Sequence, residues 1–155
     1  MSEPPRELPT LLRLDDWDRN WEAYIEAVYQ RFRADFVLSQ PFLNGLRCGV
    51  RRDLEGGRET TFWHLTSEGT DERSRTPDLR RCERIAWVRA LVEAADRGEV
   101  PMWETDRGTQ RRRLIAVPDF SYLVVLAVRA GYFLVWTAYT VEHENRRRRL
   151  REEWE

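Results

Sequence analysis

The stretch YLVVLAVRAGYFLVWTAYTV, residues 122–141, decides the fold because it places two apolar runs back to back. Both runs are rich in β-branched and aromatic residues, which are typical of strands. Ala130-Gly131 separates them and suits a tight turn. Because so short a connection joins antiparallel neighbours, the stretch predicts paired strands at 122–129 and 132–141.

Two shorter strands and a helix are predicted before this pair. The strands lie at 100–104 and 112–117, with a turn at 106–109 between them. Further upstream, Thr76-Pro77-Asp78 is a helix start, with Thr76 as the cap, and the helix extends to about Asp96. The second half of the chain therefore predicts a helix followed by a four-stranded antiparallel meander sheet.

The first half is predicted to add a helix and a β-hairpin. Apolar side chains recur at helical spacing between residues 16 and 36, beginning with Trp17 and Trp21. Alternating segments at 46–52 and 60–66 predict the hairpin and place His64 on a strand. The charged tail after residue 142 predicts a C-terminal helix, so the expected fold class is α+β.

Composition indicates one folded domain and excludes some broad classes of protein. The 155 residues are 41% hydrophobic, enough for a core. No apolar run is long enough to cross a membrane, and the N-terminus lacks the pattern of a signal peptide, so we expect a cytoplasmic protein. The formal net charge of −1 is not that of a general nucleic-acid binder.

The charge is unevenly distributed along the chain. All 26 basic residues are arginine, and residues 73–113 hold eleven of them against seven acids, whereas residues 1–72 hold nine against fourteen. Arginine presents a planar fork of donors that suits phosphate. A basic segment on an acidic body favours a selective phosphate site.

The usual motifs of metal and nucleotide chemistry are absent from the sequence. It has no glycine-rich phosphate loop, no HExxH and no GxSxG elbow. Its two cysteines are too few and too far apart for a zinc ribbon, and its two isolated histidines cannot build a three-histidine metal site. We therefore expect no metal and no cofactor.

The remaining polar residues fit cleavage of RNA through the ribose 2′-hydroxyl. This reaction needs a base, an acid and cations near the phosphate. Histidine exchanges protons near neutral pH, which makes His64 the candidate base. Arginines supply a phosphate clamp, and two hydroxyls lie two residues apart on one strand. The candidate catalytic residues are His64, Arg80, Arg81, Thr137 and Tyr139, and the candidate RNA- or phosphate-binding residues are Arg73, Arg75, Arg84 and Arg129.

Three segments resemble the barnase–EndoU–colicin–RelE-like group of ribonucleases, and its phage-associated branch most. They are FWHLTSEG at 62–69, PDLRRCERIAWVRALVE at 77–93, and the stretch at 122–141 with its Thr-x-Tyr ending. The resemblance implies a metal-independent endoribonuclease, a toxin or phage-related role, and an antitoxin or immunity protein as partner. Many members have a second catalytic histidine; His143 lies beyond the last strand, so an arginine or tyrosine would be the acid.

The single domain is expected to have three parts. The residue pattern indicates a loose arm at 1–14 and a helix and hairpin at 15–60, and the resemblance implies a nuclease-like core at 60–155.

Two other functions remain open. One is a non-catalytic RNA- or protein-binding module of phage or mobile-element origin that uses the same basic residues. The other is an interaction protein that assembles through Trp17 and Trp21, for which a homodimer is expected.

Overall fold

The computed structural model describes residues 8–69 and 75–155 and shows an α+β fold. The helices are a 3₁₀ turn Leu14–Trp17, α1 Trp21–Phe32 with a π-helical end Arg33–Val37, α2 Thr60–Thr66, α3 Leu79–Glu83, α4 Ile85–Asp96 and α5 Glu144–Trp154. The strands are β1 Phe42–Leu43, β2 Leu46–Gly49, β3 Leu54–Glu55, β4 Arg58–Glu59, β5 Ser67–Glu68, β6 Thr76–Pro77, β7 Met102–Arg107, β8 Gln110–Ala116, β9 Tyr122–Arg129 and β10 Tyr132–Thr140.

The main sheet has six strands in the order β1-β2-β10-β9-β8-β7. Strands β7 to β10 pair with antiparallel neighbours, but β2 lies parallel to β10 on its other side. The predicted four-stranded antiparallel meander is therefore wrong in detail, because the sheet is larger and mixed. The added strands are short, and β2 was expected to pair within a hairpin instead.

The two faces of the sheet are covered to different extents. Its first face packs against α1 and α4 in the larger core, where Ile25, Val28, Val88, Leu91 and Val124 are buried. The second face is covered at one end by α5 and Phe120, in a smaller cluster that includes Leu123 and Leu150. The rest of the second face is open, which gives the sheet a surface available for function.

The segment predicted as the second hairpin strand is helix α2. Threonine, phenylalanine and tryptophan favour strands, but tertiary packing overrides that preference here. Phe62 and Leu65, one helical turn apart, are both buried, and the Phe62 ring lies 5.2 Å from Tyr29 and 5.5 Å from Phe32. His64 consequently lies on a helix rather than on a strand.

The long helix predicted for residues 76–96 is divided in two. Arg84 separates α3 from α4 with a backbone conformation outside the helical region, φ −104° and ψ 17°. The N-cap of α3 is Asp78, whose carboxylate accepts from the Arg80 amide at 3.0 Å, and not Thr76. Thr76 instead pairs with Glu68 in a two-stranded ribbon that shapes the approach to α3.

The described part of the predicted loose arm, residues 8–14, is held against the body of the molecule. The Leu12 amide donates to the Glu83 carbonyl at 3.0 Å, and the Trp87 indole donates to the Pro9 carbonyl at 2.7 Å. Leu8, Leu12 and Leu14 pack on the main core. Local polarity had predicted an arm, whereas these non-local contacts tie it down.

The two cysteines, Cys48 and Cys82, are free and completely buried in the main core. Burial raises the pKa of each thiol to about 12.

In the chain that the structure describes, no helix has the length and apolar character needed to cross a bilayer.

Candidate functional site

A β-bulge in β10 shapes the open part of the second face. Val135 pairs with Leu126 and Thr137 pairs with Val125, so Trp136 is an extra residue between them. A bulge restarts the alternation of side chains, which puts Trp136, Thr137 and Tyr139 on one face. The hydroxyls predicted to act together therefore do share a face, with an indole beside them.

Helix α2 lies beside the end of β10 and brings His64 to the bulge. The Thr137 hydroxyl donates to the His64 carbonyl at 3.1 Å. The imidazole of His64 lies 5.6 Å from the Trp136 ring, centroid to centroid, and is partly exposed. The Thr137 contact is therefore with the backbone of His64, and the imidazole itself lies beside the Trp136 ring.

Arg81 joins these groups from α3. Its Nη1 donates to the Ser67 carbonyl at 2.9 Å, to the His64 carbonyl at 3.2 Å and to the Thr137 hydroxyl at 3.4 Å. Its guanidinium also lies 5.6 Å from the centre of the Tyr139 ring. Four of the five predicted catalytic residues thus meet at one corner of the sheet, a cluster we call the His64 corner.

One nitrogen of Arg81, Nη1, is bound to backbone carbonyls, whereas its buried Nε has no hydrogen-bond partner in the described chain. Its side chain is only 13% exposed, and Asp78 lies 3.4 Å from its Nε. A guanidinium bound to two carbonyls has fewer donors left for a substrate. Arg81 is therefore placed to fix α2 and α3 against β10 as well as to face the site.

An open groove of about 330 Å³ extends from the His64 corner across the second face. Its floor comes from strands β7 to β10 and one wall comes from α5. Its lining includes Thr105, Asp106, Arg107, Arg112, Trp136, Thr137, Tyr139, Arg146 and Glu153. The groove joins aromatic rings and guanidinium groups, a combination suited to nucleic acid.

Arg112 lies at the centre of this groove. Its guanidinium carbon lies 5.8 Å from the centre of the Trp136 ring. Burial, followed by the positive charge of Arg107, lowers its pKa, and the charge of Arg129 acts in the same direction. The groove thus concentrates positive charge in a partly desolvated place.

The other predicted arginines differ in position. Arg80 pairs with Glu142 and lines a second cavity, of about 520 Å³, with Arg81 and Tyr139. Arg84 lies over the Trp87 ring and donates to the Arg80 carbonyl. Arg75 donates to the Ser67 and Gly69 carbonyls. Arg73 falls outside the described residues, whereas Arg129 lies on the groove side of β9.

Sequence reasoning missed Arg107, Arg112 and Arg146 as groove residues. Three consecutive arginines at 111–113 look equivalent in the sequence. The strand alternation sends only Arg112 to the groove, whereas Arg111 and Arg113 point to the other face and pair with Asp106 and Glu104. A firm strand assignment for 110–116 would have separated them.

Within residues 8–69 and 75–155, no three His, Cys, Asp or Glu side chains are grouped as metal ligands. Comparison with family models, curated proteins and solved structures finds no match for this chain.

Proposed function

We propose that the protein is a metal-independent endoribonuclease that cleaves RNA at the His64 corner. The observation that supports this proposal is the meeting of His64, Arg81, Thr137 and Tyr139, which come from three separate elements, beside a groove rich in arginine. A histidine, hydroxyls and guanidinium groups are the parts that the 2′-hydroxyl reaction requires.

In the proposed reaction, neutral His64 takes the proton of the ribose 2′-hydroxyl. The 2′-oxygen then forms a bond to phosphorus while the bond from phosphorus to the 5′-oxygen breaks. The leaving 5′-oxygen takes a proton from Tyr139, and guanidinium groups stabilise the charge that develops on the phosphate oxygens. The products are a 2′,3′-cyclic phosphate and a 5′-hydroxyl end.

The test is cleavage of single-stranded RNA in the presence of EDTA by the wild-type protein, His64→Gln and His143→Gln. His143, the other histidine, stands at the N-cap position of α5 and lines a cavity of about 520 Å³ with Arg81 and Tyr139, so its variant tests for a second proton-transfer group. We expect His64→Gln to lower the cleavage rate by about a hundredfold or more, because the base is lost, and His143→Gln to lower it less, because Tyr139 is the proposed acid.

A matched substrate with deoxyribose at every position should resist cleavage, since it has no attacking hydroxyl. Cleavage of that substrate, or full sensitivity to EDTA, would contradict the proposed chemistry. Equal activity of His64→Gln and wild type would remove His64 from the mechanism.

A non-catalytic RNA-binding module is the second candidate, and one contact favours it. Arg81, expected to stabilise charge in the reaction, is bound instead to the carbonyls of His64 and Ser67. A protein that only holds RNA would need the groove and not a free cation at this corner. Tight RNA binding with no cleavage under any condition above would support this candidate.

The proposed assembly function of the first helix receives no support from its aromatic residues. The rings of Trp17 and Trp21 lie 5.9 Å and 5.7 Å from Tyr24, and both pack against the chain's own core. A toxin role and a neutralising partner rest on the resemblance alone. Growth arrest on induced expression that His64→Gln relieves would support the toxin role.

A further inference from the structure

Three arginines lie together at one end of the groove face. Arg112 on β8 is opposite Thr105 on β7 and Ala127 on β9. Arg107 and Arg129 each lie two residues further along those neighbouring strands, towards the same end of the sheet. Diagonal neighbours of this kind are about 7–8 Å apart, within reach of long side chains. The three guanidinium groups therefore surround one place on the sheet.

These three arginines have no acidic partner among the residues that the structure describes, although their sequence neighbours do. Arg111 lies 3.4 Å from Asp106, and Arg113 pairs with Glu104. The Nε of Arg112 is buried and has no hydrogen-bond partner. A buried donor without a partner and three like charges together are unfavourable, and an anion would relieve both.

We propose that Arg107, Arg112 and Arg129 form a binding site for a phosphate group on the open face of the sheet. Phosphate carries the negative charge that the cluster lacks and accepts paired hydrogen bonds from the guanidinium fork. The Trp136 ring lies against the guanidinium of Arg112 and limits its movement, so the fork is held before the ligand arrives.

The surroundings favour a chain of phosphates over a single isolated one. Arg146 of α5 lines the same groove and adds a fourth cation further along. Glu153 supplies a carboxylate to the groove lining, whereas the Asp106 carboxylate pairs with Arg111 on the opposite face of the sheet. An extended anion can follow the cations from Arg129 towards the His64 corner.

The phosphate has two sources, the backbone of RNA or a small phosphorylated molecule. That RNA is the source rests on the proposed function, whereas the phosphate site itself does not. The two sources differ in size, so a single-stranded oligonucleotide and inorganic phosphate distinguish them.

The experiment measures binding of a fluorescent single-stranded oligonucleotide with 2′-O-methyl ribose, which the proposed reaction cannot cleave. Inorganic phosphate is titrated separately and as a competitor. The proteins are wild type, Arg112→Gln and Arg111→Gln. The last removes the same charge one residue away, on the opposite face of the strand. Far-ultraviolet circular dichroism establishes that each variant is folded.

We expect Arg112→Gln to weaken oligonucleotide binding by about tenfold or more, and Arg111→Gln to change it by less than about threefold. Arg129→Gln, at the end of β9, should weaken binding in the same direction and serves if Arg112→Gln fails to fold. If inorganic phosphate competes with the oligonucleotide for the wild-type protein but not for Arg112→Gln, the phosphate site is supported, whichever source supplies the phosphate.

Equal weakening by Arg111→Gln and Arg112→Gln would overturn the proposal, because general charge would then explain binding. An absence of binding of either ligand to the wild-type protein would overturn it as well. If the wild-type protein binds the uncleavable oligonucleotide but does not cleave ordinary RNA, only the ribonuclease proposal is refuted. Cleavage that is unaffected by Arg112→Gln and Arg129→Gln would refute only the phosphate site.

Discussion

At the scale of single residues, Arg81 has two roles that an experiment must separate. One nitrogen, Nη1, contacts the His64 and Ser67 carbonyls and the Thr137 hydroxyl, and so links α2, α3 and β10. Loss of activity on changing Arg81 would therefore not identify a catalytic group. Its structural role has to be measured first.

Replacing Arg81 by Met should lower the free energy of unfolding by about 2–3 kcal/mol, because charge-assisted bonds to partly buried carbonyls are lost. Urea denaturation at neutral pH measures this change. Arg80→Met is the matched control on the same helix, since its guanidinium and the Glu142 carboxylate are more than half exposed. The control should stay within about 0.5 kcal/mol. Equal losses in both variants would contradict the linking role of Arg81.

At the residue scale, sequence reasoning found the members of the His64 corner but not the reason they meet. His64, Arg81, Thr137 and Tyr139 were chosen for their chemistry alone. Their meeting depends on the extra residue Trp136, and any β-branched or aromatic run would look the same with or without a bulge. A bulge is a property of pairing between strands, so a single strand cannot reveal it.

At the scale of elements, the strands with strong local signals were predictable. Those predicted at 122–129 and 132–141 combine β-forming residues with a glycine turn, and the structure has strands at Tyr122–Arg129 and Tyr132–Thr140. Helix α2 was not predictable by the same rule, because Thr60–Thr66 has strand-forming composition. This segment is helical because the helix buries Phe62 and Leu65, and Phe62 packs against aromatic residues distant in the sequence.

Helix α5 is attached to the sheet mainly through Leu150, its one buried residue in the described chain. Leu150→Ala should remove about 2–5 kcal/mol of packing and release α5 before the rest unfolds. Hydrogen exchange followed by mass spectrometry should show faster exchange in Glu144–Trp154 and little change in β9. Arg149→Ala, exposed on the same helix, is the control. Equally faster exchange in β9 would show that α5 does not open separately.

At the scale of the whole molecule, acid stability depends on carboxylates with opposite shifts. Burial raises the pKa of Asp35 above its ordinary value, although Arg31 bonds to it at 3.1 Å and acts in the other direction. A hydrogen bond from Thr60 is the main cause that lowers the pKa of Asp53. The two groups therefore affect folding in opposite directions as the pH falls.

Asp35→Asn should make the protein more stable than wild type at neutral pH. The folded protein binds the Asp35 proton more tightly than the unfolded chain does, so ionising Asp35 destabilises the fold above its folded pKa. That penalty disappears as the pH falls through the folded pKa towards the ordinary value near 3.8. Urea unfolding between about pH 3.5 and 7 measures the difference.

Asp53→Asn is the comparison for that series. The stabilisation from Asp53 is present above its ordinary pKa and is lost as the pH falls through its lower, folded value. Asp53→Asn should therefore be less stable than wild type at neutral pH, with a difference that shrinks in acid. A gain in stability from Asp53→Asn, or a loss from Asp35→Asn, would reverse the assignment.

Because Cys48 and Cys82 are buried in the folded protein, their alkylation measures the fraction of a sample that is unfolded. Thiols react with alkylating reagents as thiolates, and these two are shielded and reluctant to ionise in the folded protein. Because the chain has no other cysteine, alkyl groups counted by mass spectrometry report the unfolded fraction directly. The same inertness lets a single engineered surface cysteine carry a dye without competition from the native thiols.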